Sequence, residues 1–306
     1  MKLAHLQAFV TVMETGSIHA AARALGVTHP ALSKGLRALE EELTAPLLTR
    51  SNRGAVPTAY GKTFYPRARL VLGELRKAAE DVAQLRDRME GSLNIAVAPA
   101  GTMQLAPVAV QSFRRECPDV VVAIRESLPP LVLELLRDGS LDLAISPISA
   151  DLPRIEFRTE RLMSVEMCIA ARPEHPLADA RSLRELLDAD WLRIGAVGGR
   201  SVVVDRLFAA HKLPAPRSCV ECHSLMATLV LLQSGDYLAV ISRALLNMPL
   251  FASAVVEVKV RETLIANQIA MIYLADRPLT RVAQIFATHL RRAATRLAAA
   301  PRDAEK

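Results

Sequence analysis

The stretch GVTHPALSKGLRALEEEL, residues 26–43, decides how the first quarter of the chain folds. Leu32, Leu36, Leu39 and Leu43 recur at steps of four, three and four, which draws one apolar stripe along a helix. Thr28 stands where a side-chain oxygen can accept from the free amides of a first helical turn. Pro30 falls inside that turn, where a missing N–H costs nothing. His29, Ser33 and Arg37 step by four along a different face, with Lys34 beside them. A helix that only fills a core needs the leucines alone, so the polar row needs a partner outside its own domain.

The flanking residues extend this pattern. Leu3, Leu6, Phe9, Val10 and Met13 repeat at helical spacing and stop at Thr15-Gly16. Ser17 offers a cap oxygen to a second, short helix carrying Ile18, Ala21, Ala22 and Leu25. A short helix, a glycine-bearing turn and a helix with an exposed polar first half make the helix-turn-helix plan. In that plan the second helix enters the major groove and its early residues meet base edges. Arg and Lys donate to guanine, and Ser or Thr to any base. The acids Glu40, Glu41 and Glu42 gather at the far end of the same helix. Beyond it, APLLTRSNRGAVPT places Arg50 and Arg53 around a polar turn with Gly54, a β-hairpin wing whose arginines reach phosphates or the minor groove.

Charge follows the same division. The chain has 306 residues and a net charge of +6. Residues 1–69 hold nine Lys or Arg against four acids, so the first quarter carries nearly all of the excess. A local basic excess attracts polyanions. Half of the residues are apolar and aromatics make up 4%, which predicts aliphatic cores. No run of about 18 apolar residues predicts a membrane-spanning helix. The opening MKLAHLQAF lacks a long apolar region, and four cysteines are too few for a disulfide framework, so the reading is a cytoplasmic chain.

From Thr58 to Met89 a second helical pattern runs. Phe64, Ala68, Val71, Leu75, Ala78, Val82, Leu85 and Met89 alternate steps of four and three, the seam of a coiled-coil dimer. Pro66 is expected to kink this helix or split off its first turns. After GSLNIAV the period changes. Strands are predicted at Leu93 to Val97 and in VVVAIRESL, LDLAISPI, IEFRTERL, SVEMCIAA, YLAVIS, VVEVKV and QIAMIYLA. Helices are predicted at about 102–116, in PLVLELLRDG, and at 200–211, 224–234 and 279–298. The alternation implies α/β architecture with largely parallel sheets in two small lobes. Ligands in such sheets bind at the carboxyl ends of strands. Those ends are Pro99-Ala100-Gly101-Thr102, Ser146-Pro147 and Gly198-Gly199-Arg200-Ser201, and free amides at helix starts favour a small organic anion.

No catalytic or nucleotide-binding motif stands out, and the seven histidines lack ligand spacing. No cofactor and no metal site are therefore expected. CVECH, residues 219–223, matches the C-x-x-C-H of haem attachment. Its first residues read as a strand, which sends Cys219 and Cys222 to opposite faces, so the pair is read as small residues beside a cleft. Two rival readings are an enzyme fused to a DNA-binding domain and an inducer-independent DNA binder.

The run LQAFVTVMETGSIHAAARALGVTHPALSKGLRALEEELTAPLLTRSNRGAVPTAYG resembles the winged helix-turn-helix of LysR-type transcriptional regulators. The resemblance rests on Ala21-Ala22, Leu25, Pro30-Ala31-Leu32-Ser33, Leu39-Glu40, Pro46-Leu47, Arg50, Thr58 and Gly61. GSLNIAV, LRDGSLDLAI and PEHPLA extend it more loosely over the chain. The family usually has Gln where His29 stands and Phe where Leu48 stands; the first bears on base preference, the second on packing. The resemblance implies an N-terminal winged helix-turn-helix (1–58) and a long linker, or dimerisation, helix (59–90). It implies a two-lobed, periplasmic-binding-protein-like α/β effector domain (91–306), with lobe I at 91–160 and 267–306 and lobe II at 161–266. It also implies a homodimer through the linker helix, a homotetramer, promoter DNA and a small-molecule inducer as partners, and RNA polymerase as a further partner of an activator. The expected DNA contacts are Ser17, His19, Thr28, His29, Pro30, Ser33, Lys34, Arg37, Arg50 and Arg53. Carried over by position, the inducer cleft is lined by Ala100, Gly101, Thr102, Ser127, Ser146, Pro147, Val197, Gly198, Ser201 and His223.

Overall fold

A computed structural model describes residues 1–51, 54–84, 89–148, 152–195, 203–216, 219–248, 251 and 253–299. The chain forms two compact units, one of Met1–Arg88 with Arg137–Ser140, the other of Met89–Leu136 and Leu141–Lys306.

The first unit opens with three helices, α1 (Leu3–Thr15), α2 (Ile18–Ala24) and α3 (His29–Leu43). Gly16 ends α1 at φ 68°, a left-handed conformation that glycine adopts without penalty, and its N–H returns to the Val12 carbonyl. Ser17 and Thr28 cap α2 and α3, each accepting from the backbone three residues on, at 3.4 Å. The predicted stripe is buried: Leu32, Leu36 and Leu39 pack with Leu6, Phe9, Val12, Ala21 and Ala22. The wing is a two-stranded antiparallel hairpin, β1 (Leu48–Ser51) and β2 (Gly54–Pro57).

Helix α4 (Ala59–Gln84) follows without a break, and Pro66 lies inside it. The expected splitting of its first turns does not occur, because residues on either side of Pro66 are anchored. Phe64 packs against Phe9 with ring centroids 5.6 Å apart and planes tilted by 44°, and Ala68 is buried in the helical core. The predicted seam is therefore divided. Phe64 and Ala68 serve their own domain, while Val71, Leu75 and Val82 stay 46%, 49% and 59% exposed. Leu85 lies outside the described residues. Gly61 is required by packing, since a Cβ there would stand 2.1 Å from the Leu47 carbonyl oxygen.

The second unit holds two five-stranded sheets. The first has β3 (Gly91–Val97), β4 (Val120–Glu126), β5 (Leu143–Pro147), β6 (Phe157–Val165) and β12 (Asn267–Leu274), in the order β4-β3-β5-β12-β6. The second has β7 (Met167–Ala171), β8 (Asp190–Ile194), β9 (Cys219–Cys222), β10 (Tyr237–Ser242) and β11 (Val256–Val258), in the order β11-β7-β10-β8-β9. Strand residues alternate between layers with period two. Leu93, Ile95 and Val97 of β3 join one core with α5 (Pro99–Glu116) and α9 (Arg281–Ala299), while Ala96 joins another with α6 (Leu131–Arg137). Likewise Leu238 and Val240 face α7 (Val203–Ala210), whereas Ala239 and Ile241 face α8 (Leu225–Ser234). Both faces are covered, so the strands read as continuous apolar runs.

The sheets are mixed and not largely parallel. β3 pairs parallel with β4 and β5, but β12 runs antiparallel to both β5 and β6; β8 pairs parallel with β9 and β10, but β7 runs antiparallel to β10 and β11. The reason is the chain path. Where a helix intervenes the strands return parallel, but the chain crosses directly between the sheets, at Glu166 and again between β11 and β12. β6 stays in the first sheet to Val165, beyond the expected lobe boundary at 160. Strand β8 was not predicted. It carries Arg193, which is 4% exposed and pairs through both terminal nitrogens with Asp205 at 2.7 and 3.1 Å.

Candidate DNA-reading helix and effector cleft

On α3 the buried stripe leaves the opposite face free. Pro30, Lys34 and Arg37 are exposed and His29 is half-buried at the first helical position. His29 stacks on His19 of α2, with ring centroids 4.3 Å apart and planes inclined at 23°. Thr28 and His19 are exposed, and Ser17 is half-buried at its cap. Ser33 differs from expectation. Its hydroxyl is enclosed without a hydrogen-bond partner and faces a cavity of about 140 Å³ between α3 and the hairpin, also lined by Ile18, Arg37, Glu40 and Thr49. The outward donors of this turn are thus Lys34 and Arg37. Arg50 lies on β1, opposite Ala55, and its side chain is outside the described residues, as is Arg53. Glu40 does not simply project at the far end of α3. Its Oε1 accepts the N–H groups of Leu47 and Leu48 at 2.7 and 3.1 Å, which ties the helix to the hairpin.

In the second unit the carboxyl ends of β3, β5, β8 and β10 converge. Ala98, Pro99, Pro147, Ile194 and Ser242 line a cavity of about 90 Å³, together with Leu128, Met167, Leu192, Val204, Leu225 and Asn267. A smaller cavity of about 50 Å³ shares Pro99, Leu128 and Ile194 and adds Glu126, Ser127, Gly195 and His223. Of the expected cleft residues, Pro147 lines the larger cavity, and Ser127 and His223 the smaller. Ser146 is fully buried at the end of β5, with its hydroxyl unpartnered. Ala100, Gly101 and Thr102 form the first turn of α5, their side chains outside the described residues, and Val197, Gly198 and Ser201 lie outside them altogether. His223 Nδ1 bonds to the Gly195 carbonyl at 3.1 Å. Sequence reasoning missed Glu126, the last residue of β4, whose Oε1 accepts the Leu225 N–H at the start of α8, 3.3 Å away. It also missed Ser242, 3% exposed, with its hydroxyl buried and unpartnered.

One further constellation was invisible in sequence. His289 joins Ser112 Oγ through Nδ1 at 2.9 Å and Glu116 through Nε2 at 3.0 Å. It has the residue types of a hydrolase triad but the wiring of a clamp. Ser112 Oγ also donates to the Ala109 carbonyl at 3.0 Å, and both partners sit one turn apart on α5, holding α9.

Cys117, Cys168 and Cys222 are buried and free. Burial, reinforced by Glu257, pushes the Cys168 thiol up to about 12. Burial disfavours the charged thiolate, so the thiol stays protonated throughout the physiological range. Iodoacetamide at pH 8 is expected to leave Cys168 unmodified in the folded protein and to label it after denaturation, read by peptide mass. Labelling of the native protein at the rate of a free thiol would contradict this. No group of three or more metal-ligating side chains occurs among the described residues.

Matches to known proteins cover both the helical unit and the α/β unit. Residues 3–62 match the bacterial regulatory helix-turn-helix protein, lysR family, and residues 86–295 match the LysR substrate binding domain. The chain belongs to the LysR family of transcriptional regulators and is not an enzyme. It is 29% identical over 296 residues to the HTH-type transcriptional regulator GbpR of Azospirillum brasilense, covering 96% of this chain and 86% of the relative. It is 31% identical over 238 residues to the HTH-type transcriptional regulator GalR of Pseudomonas putida, covering 78% and 60%. The fold is that of CbnR, a LysR family transcriptional regulator, with TM-score 0.72 at 19% identity over 96% of this chain and 99% of that one. CbnR complexed with its target DNA gives TM-score 0.69 at 20% identity, over 96% and 100%. No helix among the described residues is long and apolar enough to cross a membrane.

Proposed function

We propose that this chain is a cytoplasmic, homodimeric or homotetrameric regulator that reads an inverted repeat in promoter DNA through α3 and responds to a small molecule bound between its two α/β lobes. The observation that carries the reading is on α3. Leu32, Leu36 and Leu39 are buried, while Lys34 and Arg37 face outward from a unit that holds most of the net charge. Lys34, Arg37 and His29 enter the major groove, Arg37 donating to a base edge. Ser17, His19, Thr28 and Pro30 lie against the backbone, and Arg50 and Arg53 reach phosphates or the minor groove. CbnR, a fold neighbour, has been solved with its target DNA, which supports this placement. The exposed stripe Val71, Leu75 and Val82 pairs two copies, and RNA polymerase is a further partner if the chain activates transcription. A ligand shifts the assembly only through different affinities for its two states. No cofactor takes part.

Footprinting of the full-length protein on the DNA upstream of its own gene tests this. Protection is expected over two half-sites about one helical turn apart, weakening steeply as salt rises. Uniform, sequence-indifferent protection would overturn it. The stacked His29 supplies a second readout. An imidazole N–H donates to a purine acceptor, whereas a glutamine amide pairs with adenine through both a donor and an acceptor. His29→Gln is expected to move the preferred base at one operator position to adenine, with affinity for random DNA unchanged. An unaltered preference would remove His29 from the reading set.

A further inference from the structure

The effector's chemistry can be read from the cleft, given the reading that the cleft is the effector site. Its two cavities, of about 90 and 50 Å³, are neighbours, with Pro99, Leu128 and Ile194 lining both. Together they compare with the cavity of about 150 Å³ that takes up benzene. The larger cavity is aliphatic, and among the described residues its only polar lining is Ser242 and Asn267. Asn267 donates to the Met167 sulfur at 3.5 Å, which leaves the buried Ser242 hydroxyl as a group there without a partner. The smaller cavity carries Glu126, Ser127 and His223. No Lys or Arg lines either cavity among the described residues.

A helix start favours an anion, and the sequence pointed to helix starts around this cleft. At α8 that place is already held by the chain's own Glu126, which accepts the Leu225 N–H. A carboxylate ligand at the same spot would face the exposed carboxylate of Glu126, and like charges disfavour each other. A donor head on the ligand instead completes the unused acceptor capacity of Glu126, while its apolar body fills the space below Ser242.

We propose that the effector is a ring-sized, mainly apolar molecule with an ammonium or hydroxyl head that donates to Glu126, and not a carboxylate seated at the start of α8. Glu126 also joins the two lobes through Leu225, so the ligand engages a side chain that already spans the cleft.

Three probes of similar size separate the alternatives: benzylamine, benzyl alcohol and benzoate, each added to the full-length protein and followed by thermal shift and titration calorimetry. Binding to the folded state raises the melting temperature in proportion to occupancy. Benzylamine is expected to bind at least about tenfold tighter than benzoate, with benzyl alcohol between them. Glu126→Gln keeps an acceptor for Leu225 and removes the charge, so it is expected to bring benzylamine down to the level of the alcohol. Ser242→Ala removes an unpartnered buried hydroxyl, so it is expected to preserve or raise the melting temperature of the empty protein. Benzoate binding as tightly as benzylamine, an unchanged order in Glu126→Gln, or no shift with any probe would each overturn the proposal. The promoter footprint, made on the same sample without probe, is independent of all three, so it separates a wrong effector class from a wrong functional reading.

Discussion

Replacing Leu75 with glutamate is expected to leave each chain folded but monomeric, and to abolish operator protection at concentrations where the parent protein gives a full footprint. Leu75 is half exposed in the middle of α4 and shares a stripe with Val71 and Val82, whereas the apolar residues that hold α4 to its own domain, Phe64, Tyr65, Ala68 and Leu72, all precede it. The substitution therefore touches no contact within the helical core and places a charge into the seam between two copies. Losing the partner removes the second reading helix, and linked sites gain about 10²–10⁴ in avidity over a single one. Sedimentation velocity reports the oligomeric state and circular dichroism the fold. A Leu75→Glu protein that still sediments as the parent assembly would show that α4 is not the seam.

Arg37→Ala is the second large effect. Arg37 is exposed on the free face of α3, one turn beyond Ser33, and it borders the cavity beneath the hairpin. Removing its guanidinium leaves Leu36 and Leu39 packed as before, so the melting temperature should hold. A bidentate contact to guanine contributes about 1–3 kcal/mol of discrimination, so operator affinity is expected to fall by roughly 5- to 150-fold. The preference at one base position should relax while affinity for random duplex is little changed. An equal loss on operator and random DNA, with a shallower salt dependence, would make Arg37 a phosphate contact.

The features legible in sequence were those fixed by neighbours along the chain. The Leu32–Leu36–Leu39 stripe, the caps at Ser17 and Thr28, the stop at Gly16 and the hairpin after Pro46 each depend on a few consecutive residues, and all are present. Features that depend on distant segments were not legible. The apolar chamber takes Met167, Val204, Leu225 and Val240 from four separate elements, each indistinguishable from ordinary core in its own strand or helix. Glu126 is one residue of a predicted strand, and its bond to Leu225 depends on α8, about a hundred residues further along the chain. Strand β8 was hidden because Arg193 breaks its apolar pattern, and the Asp205 that neutralises it lies on another element. Periodicity in α4 gave the stripe but not its owner, since a heptad repeat looks the same whether it faces a domain's own core or a second copy.

The two hydrogen bonds from Glu40 to Leu47 and Leu48 have a consequence for target choice. Helix and hairpin cannot adjust separately to a duplex, because the carboxylate that closes one is anchored in the backbone of the other. The module behaves as a two-pronged gauge of fixed span. An operator half-site lengthened or shortened by one base pair should forfeit both prongs at once, so tolerance to spacing within a half-site ought to be lower than tolerance to most single-base changes.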